Sequence, residues 1–335
     1  FCVAAGLSFG LKKSGIRIAA GIDVDPACRY PFEQNINSKF VQQDVATLKP
    51  VDVTRLFGKA KVRVLAGCAP CQPFSGYTTK RREIDDRWQL LLEFLRIARV
   101  VKPEIITLEN VSRLSLLPLW GEFVAGLKGA GYHVSWDVLD SSLYGVPQSR
   151  RRLVLLASRL GAIALPAPLD QDAPTVRSAI AQLPAINAGV KNPLDPLHSS
   201  RALTEPNLAR IRKSIPAGTW RQWPKKMQLD CHKSENGRTY PSVYGRMSWD
   251  RPAPTITTQF YGFGNGRFGH PEQDRALTLR EGAILQSFPA DFKFLEPGSR
   301  LSFREVGRLI GNAVPPELAR SVGQAITSHA AAAVR

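Results

Sequence analysis

Cys71 is the residue whose type and setting best suit covalent chemistry. It lies in the run Gly67 to Ser75, Gly-Cys-Ala-Pro-Cys-Gln-Pro-Phe-Ser, between two prolines that stiffen the chain. A cysteine thiolate is strongly nucleophilic and a good leaving group. The run therefore predicts a loop nucleophile that adds reversibly to an electron-poor carbon of a substrate.

The spacing of Cys68 and Cys71 leaves two other interpretations open. A Cys-x-x-Cys pair can be a redox centre, or half of a zinc site that Cys231 and His232 would complete. A redox pair normally opens a helix, whereas prolines flank Cys71, and the second pair lacks the usual ligand spacing. We therefore favour the nucleophile and expect no metal.

Two charged motifs follow this loop along the chain. In Glu109-Asn110-Val111 a protonated carboxyl could hydrogen-bond a ring nitrogen of the substrate and draw electrons from the attacked carbon. Farther on, Arg150 and Arg152 would share one face of a strand and could clamp a carbonyl and a phosphate. Taken alone, Glu109 could equally be a solvated or helix-capping residue, and the arginines an exposed basic edge.

These residues need elements that bring them together. Over about 160 residues the N-terminal part alternates between apolar strand patterns and helical spacing. The pattern predicts an α/β fold with a doubly wound, mostly parallel sheet, whose ligands bind beyond the carboxyl ends of the strands. Three polar sequences are predicted at such ends: Asp23 to Asp25, Cys68 to Ser75, and Glu109 with Asn110.

The charge of the chain points to an anionic partner. Lys and Arg total 45 against 28 Asp and Glu, a formal net charge of +17, which favours nucleic acid. Residues 173–275 hold 15 Lys and Arg against 7 Asp and Glu, interleaved with aromatic residues, and this suits nucleic-acid contact. A loop-rich domain with an aromatic core would give the same pattern. We predict a catalytic domain of residues 1–172 plus 296–335, and a smaller target-recognition domain of residues 173–295.

The composition also predicts the compartment. No stretch approaches the ~20 apolar residues that cross a bilayer, and no basic and apolar leader is visible. The five cysteines lack the spacing of a disulfide framework. We expect a monomeric protein of the cytoplasm without membrane association.

Five motifs, in this order, resemble those of the cytosine-C5 DNA methyltransferases of bacteria and phages, over essentially the whole chain. The segments are Gly67 to Ser75 (the family's Pro-Cys-Gln motif), Glu109 to Val111 (Glu-Asn-Val), Gln148 to Arg152 (Gln-x-Arg-x-Arg), Arg275 to Pro289, and Gly311 to Pro315. The resemblance implies a Rossmann-like methyltransferase domain beside a second, smaller DNA-recognition domain. It also implies a nucleoid-associated bacterial enzyme of the restriction-modification type.

The resemblance implies S-adenosylmethionine as cofactor and assigns residues to it. Asp23 would take the ribose hydroxyls, Val24 would cover one face of the adenine, and Asp44 would meet the adenine amino group. The other cofactor residues that it implies are Phe1, Ala4, Gly6, Leu7, Pro70, Leu90, Asn312 and Ala313. Double-stranded DNA would be contacted by Ser75, Arg246 and Thr255.

In the implied reaction Cys71 adds to C6 of a flipped cytosine, Glu109, Arg150 and Arg152 hold the base, and a methyl group is transferred to C5. The first cofactor loop departs from the family pattern, since Val3 and Ala5 stand where two glycines are usual. Two alternatives stay open: the same chemistry on tRNA, and a DNA-binding homologue with weakened cofactor binding. The long basic segment 173–275 argues for duplex DNA.

Overall fold

A computed structural model describes residues 4–69 and 89–333, which fold into two compact units. Of these residues, the first unit holds 4–69, 89–144, 151–170 and 314–333, and the second holds 145–150 and 171–313. Residues 145–150 and 296–313, which the sequence analysis assigns to the catalytic domain, thus belong to the second unit. The chain passes between the units four times.

The first unit begins with alternating helices and short strands. These are α1 (Gly6–Lys13), β1 (Ala20–Asp23), α2 (Arg29–Ile36), β2 (Lys39–Gln42), α3 (Pro50–Phe57) and β3 (Val64–Gly67). β1 and β2 form a parallel pair in which Asp23 lies opposite Gln42. Asp23 is therefore the last residue of its strand, where the sequence places it.

A four-stranded sheet of order β3–β4–β6–β5 forms the centre of this unit. It is completed by α4 (Gln89–Val101), β4 (Ile105–Val111), α5 (Pro118–Gly129), β5 (His133–Asp140) and β6 (Arg151–Ser158). β3 and β4 are parallel, whereas β6 runs antiparallel to both of its neighbours. The α/β class is confirmed, but the sheet is mixed, so the prediction of a mostly parallel sheet is wrong for β6. No α-helix separates β5 from β6, and a short connection joins antiparallel strands readily.

Apolar residues at helical spacing pack α4 against this sheet. Leu91, Phe94, Leu95 and Ala98 are all buried, and so is β4 from Ile105 to Asn110. A Cβ atom at Gly67 would lie 2.5 Å from the ring of Phe94. A glycine at the end of β3 therefore lets α4 lie close to the strand that precedes Cys71 in the sequence.

The second unit is built from short helices joined by irregular chain. They are α6 (Val176–Ile180), α7 (Glu205–Lys213), α8 (Asp230–Lys233), α9 (Glu235–Arg238), α10 (Leu279–Leu285) and α11 (Phe303–Asn312). An apolar cluster of Ile211, Trp220, Trp223, Phe263 and Ala276 fills part of its interior. The aromatic residues of segment 173–275 thus serve partly as core, as the alternative interpretation allows.

The chain returns to the first unit as α12 (Pro316–Ala333), which packs on α1. A Cβ at Gly10 would lie 2.3 Å from Pro316 O and 2.4 Å from Ala319 Cβ. The two helices can therefore approach this closely only because residue 10 is glycine. Within the described part of the chain, no helix combines the length and apolar character that a bilayer crossing requires.

Candidate active site

Glu109 lies near the end of β4 with its side chain only 7% exposed. The sequence predicts it at the C-terminal end of the strand, and β4 continues two residues farther, through Val111. Its Oε2 accepts a hydrogen bond from Cys68 Sγ at 3.2 Å. Its Oε1 lies 3.1 Å from Arg152 Nε, an ion-pair distance, yet no donor within residues 4–69 and 89–333 makes a hydrogen bond to that oxygen. The carboxyl therefore carries one buried oxygen that can still accept a hydrogen bond.

Asn110 anchors the chain just ahead of the predicted nucleophile. Its Nδ2 donates to Ala69 O at 3.1 Å, and its Oδ1 accepts from the amide of Val111 at 2.8 Å. The Glu-Asn-Val motif thus holds Ala69, which precedes Cys71 by two residues in the sequence. Phe1, Pro70, Cys71 and Ser75 lie outside the described residues, and their roles stay predictions.

Arg150 is buried, and backbone carbonyls bind its guanidinium. The guanidinium, 3% exposed, donates to Ile256 O and Gly311 O at 2.8 Å each and to Ala313 O at 3.4 Å. The contact of Arg150 with the base stays a prediction. The two arginines also do not share a strand face, because β6 begins at Arg151 and Arg150 belongs to the second unit. Arg152 alone stays beside Glu109.

Arg246, which the sequence analysis assigns to DNA contact, is also buried, and that contact stays a prediction. It is 5% exposed, and its guanidinium donates to the carbonyls of Ile211, Ser214, His270 and Gln273 and pairs with Asp274. Its polarity signalled DNA contact in the sequence, but its hydrogen bonds tie together loops of the second unit. Thr255 is exposed, and its hydroxyl donates to Ser149 O at 3.1 Å. Its contact with DNA stays a prediction.

Gln148 is a functional-motif residue whose role sequence reasoning missed. Its Oε1 accepts from the amide of Ile256 at 2.7 Å, and its Nε2 donates to Gln286 Oε1 at 2.7 Å. Gln286 in turn donates to Ile310 O at 2.8 Å. These buried amides join the Gln-x-Arg-x-Arg motif to the segments around 256, 286 and 310. Their place in recurring motifs was the only signal, since nothing in the sequence pairs residues so far apart.

The predicted adenosine residues lie at the carboxyl ends of β1 and β2. Gln43 N donates to Asp23 O at 3.0 Å, which keeps the two strand ends together. Asp23 is 8% exposed, the next residue, Val24, is 61% exposed, and Asp44 is exposed. Leu90 packs on a neighbouring apolar cluster that includes Val45. A buried acid beside an exposed apolar side chain suits a ribose and an adenine face.

The first cofactor loop contains a backbone conformation that explains the family's preference for glycine. Ala5, just before α1, adopts φ 64° and ψ 13°, the left-handed region. Ala4 and Ala5 are fully buried, and Gly6 and Leu7 begin α1. Asn312 ends α11 and Ala313 follows it, both in the second unit. The cofactor roles of these residues stay predictions.

Two other features do not compete with this site. An apolar cavity of about 380 Å³ lies in the first unit, lined by residues such as Ile22, Leu65 and Ile326, but neither Glu109 nor Asp23 lines it. We place the chemistry at Glu109, because the cavity lacks acid-base groups. Among the described residues no three His, Cys, Asp or Glu side chains gather as metal ligands. Cys71 is not among them, so the expectation about metal stays a prediction.

Comparison with solved structures defines the fold. A structure described as a prophage-encoded DNA modification methyltransferase from Escherichia coli superposes with a TM-score of 0.77 at 20% identity, covering 99% of this chain and 98% of that one. DNMT2 of Spodoptera frugiperda gives a TM-score of 0.68 at 17% identity, covering 98% of both chains. The chain therefore shares the α/β fold of these two structures.

Sequence comparison gives the family. The profile of the C-5 cytosine-specific DNA methylases matches residues 1–328, and the chain belongs to this family. Type II methylase M.HgiDII of Herpetosiphon aurantiacus is 44% identical over 97% of this chain and 93% of its own length. Type II methyltransferase M1.HphI of Haemophilus parahaemolyticus is 31% identical over 97% and 85%. The predicted enzyme class, a DNA (cytosine-5-)-methyltransferase that uses S-adenosylmethionine, is confirmed.

Proposed function

We propose that this enzyme methylates a cytosine flipped out of a specific sequence of duplex DNA, through a covalent bond between Cys71 and C6. The observation that carries the proposal is the buried Oε1 of Glu109, which lies beside Arg152 and accepts no hydrogen bond from the described residues. A cytosine with a proton on N3 presents two adjacent donors, that N–H and the exocyclic amino group. A buried acceptor that receives no hydrogen bond is costly, and this base edge would supply one.

Cys71 and Glu109 would divide the chemistry of activation. Protonated Glu109 would give its proton to N3 as the Cys71 thiolate adds to C6, so that the ring becomes an enamine with a nucleophilic C5. The Glu109 carboxylate would then accept a hydrogen bond from the new N3–H, and the proton would return to Glu109 when Cys71 leaves. S-adenosylmethionine, when bound, supplies an electrophilic methyl group. After methylation, a base removes the C5 proton, the double bond re-forms and Cys71 leaves as a thiolate. Flipping the nucleotide costs roughly a few kcal/mol, which contacts to the base must offset.

The cofactor would be held by the strand ends of the first unit. Asp23 would accept hydrogen bonds from the ribose hydroxyls, Val24 would cover the adenine, and Asp44 would accept from its amino group. The buried carboxyl of Asp23 and the exposed side chain of Val24 support these roles. The remaining cofactor contacts would come from Phe1, Ala4, Gly6, Leu7, Pro70, Leu90, Asn312 and Ala313.

The second unit would recognise the DNA, chiefly through exposed basic residues between positions 220 and 238. We name these the basic cluster: Arg221, Lys225, Lys226, Lys233 and Arg238. One member of the cluster, Arg221, lies beside an aromatic pair in which the rings of Trp220 and His232 stack with their centroids 4.4 Å apart. Arg221 lies 5.6 Å from the ring of Trp220 and donates to Arg238 O at 2.7 Å. Ser75 and Thr255 would contact the flipped nucleotide.

The biological setting follows from the relatives. Relatives named Type II methylases favour a bacterial modification enzyme of a restriction-modification system. In that setting we propose a monomer in the cytoplasm, associated with the nucleoid.

The test is methyl transfer from labelled S-adenosylmethionine to unmethylated bacterial genomic DNA and, separately, to unmodified tRNA. We expect the wild type to label DNA at C5 of cytosine and Cys71→Ser to label neither substrate while still binding DNA. Cys28→Ala, which removes a buried cysteine elsewhere in the first unit, is the matched control and should stay active. Full activity of Cys71→Ser would refute the mechanism, and labelling of tRNA alone would refute the substrate. Bisulfite sequencing of the product would identify the target sequence.

A further inference from the structure

The side chain of Cys68 lies beside that of Glu109 because of the register of two strands. β3 and β4 pair in parallel, with Gly67 opposite Leu108. Cys68 and Glu109, the residues that follow these two, are therefore also neighbours. The Cys68 thiol donates to Glu109 Oε2 at 3.2 Å. The mechanism above uses Cys71 and gives Cys68 no role, although Cys68 contacts the group that would hold the base.

Three adjacent strands therefore surround one carboxyl. Cys68 follows β3, Glu109 lies in β4, and Arg152 lies in β6, where it pairs with Val111. The two neighbours of Glu109 differ in kind. Cys68 makes a directed hydrogen bond to Oε2, whereas Arg152 is 3.1 Å from Oε1 without making one. Only the thiol therefore fixes the rotation of the carboxyl among the described contacts.

We propose that Cys68 is a positioning residue, whose thiol holds Oε2 of Glu109 so that Oε1 faces the target cytosine. The inference rests on the proposed function of Glu109. The last torsion of a glutamate side chain is broad and roughly two-fold, so attraction by Arg152 alone would leave the carboxyl free to turn. Acid-base groups act only when they are held within hydrogen-bond reach of the proton concerned, and a turned carboxyl would miss the base edge.

The experiment compares Cys68→Ala, which removes the donor, with Cys68→Ser, which replaces it by a hydroxyl. Cys28→Ala again controls for the loss of a buried thiol. Steady-state kinetics with S-adenosylmethionine and unmethylated bacterial DNA give kcat and both KM values. Release of tritium from C5-tritiated cytosine in that DNA reports the addition of Cys71 separately, because the addition makes the C5 hydrogen exchangeable.

We expect Cys68→Ala to lower kcat and tritium release by about tenfold, the lower end for a hydrogen bond to a charged group because a thiol is a weak donor. The KM for S-adenosylmethionine and the melting temperature should match those of Cys28→Ala. Cys68→Ser should recover most of the rate. An unchanged kcat in Cys68→Ala, or equal losses in both variants, would overturn the proposal while leaving the proposed function intact. A wild type without methyl transfer would overturn both.

Discussion

Arg275 and Glu281 form a fully buried, two-pronged ion pair inside the second unit. Arg275 Nη1 lies 2.8 Å from Glu281 Oε2, and Nη2 lies 2.7 Å from Oε1, with both side chains 1% exposed. Glu281 also accepts from the amide of Thr278, whose hydroxyl caps α10 in return. The pair thus fixes the start of the helix that leads to Gln286.

Breaking this pair should be costly. Removing one partner leaves the other charge buried and unpaired, so we expect Glu281→Gln to lower the free energy of unfolding by about 3–5 kcal/mol. Urea denaturation followed by tryptophan fluorescence would measure the loss. The double variant Arg275→Met, Glu281→Gln should lose less than the sum of the single losses, and additive losses would contradict the pairing.

Ala5→Gly should stabilise the enzyme. The left-handed backbone at Ala5 costs a residue with a Cβ about 1 kcal/mol relative to glycine. We expect the free energy of unfolding to rise by about that amount, and calorimetric titration with S-adenosylmethionine should show binding at least as tight as in the wild type. Ala4→Gly, at a neighbouring buried position without positive φ, is the control and should destabilise. A destabilised Ala5→Gly would refute the strain.

Gly10→Ala should separate α1 from α12. Its Cβ would meet the backbone of Pro316 at 2.3 Å and of Arg320 at 2.6 Å, and backbone cannot turn aside as a side chain can. We expect a loss of about 2–3 kcal/mol, the upper range for overpacking. Gly121→Ala makes the same change within α5, where no other atom lies within 4 Å, and should gain about 0.5–1 kcal/mol. Equal effects at the two sites would contradict the packing.

The two kinds of basic residue in the second unit should behave differently with DNA. Lys225→Ala with Lys226→Ala should weaken binding to a fluorescent duplex and reduce the slope of log K against log salt by up to about 2, since each phosphate contact adds about 0.9. Arg246→Lys should leave that slope unchanged. It should instead lower the free energy of unfolding by about 2–4 kcal/mol, because buried carbonyls lose their donor. A reduced slope with an unchanged free energy of unfolding in Arg246→Lys would indicate that Arg246 contacts DNA.

His270 should make stability depend on pH. Burial lowers its pKa to about 4, and its Nδ1 accepts from the amides of Glu272 and Gln273. The unfolded chain takes up this proton near pH 6.5, and the folded protein only near pH 4. The stabilisation is therefore complete above pH 6.5 and is lost as the pH falls, by about 3 kcal/mol at pH 4. His270→Asn keeps an acceptor, and its urea midpoint should change less with pH over this range. If the urea midpoint of His270→Asn changed with pH as much as that of the wild type, other groups would be responsible for the pH dependence.

Local patterns predicted the elements well, because burial and spacing are local properties. The helical spacing of apolar residues corresponds to α4, which ends at Val101, just before Lys102 in the left-handed region and Pro103. The direction of β6 could not be predicted, since an apolar run has the same periodicity whichever way the strand runs. It depends on the short connection from β5, which the sequence alone could not distinguish from a crossover.

The active site divides in the same way. The order of the motifs predicted that Glu109 and Arg152 act at the same site. In the structure their strands lie side by side. The burial of Arg150 and Arg246 was not predicted, because an arginine that binds backbone carbonyls has the same sequence signal as one that binds a phosphate. Only burial separates them, and that burial depends on residues far along the chain, such as Gly311 and Asp274.

The pairing of α1 with α12 also sets an order of events in the cell. α1 precedes its partner around Pro316 and Ala319 by roughly 300 residues of chain, and every helix of the second unit is synthesised between them. The first unit therefore cannot finish folding until α12 has emerged from the ribosome, by which time the helices of the second unit have already emerged. A nascent chain that has not yet reached α12 would expose the face of α1 around Gly10. Methylation would consequently begin only after α12 has been synthesised and has packed on α1.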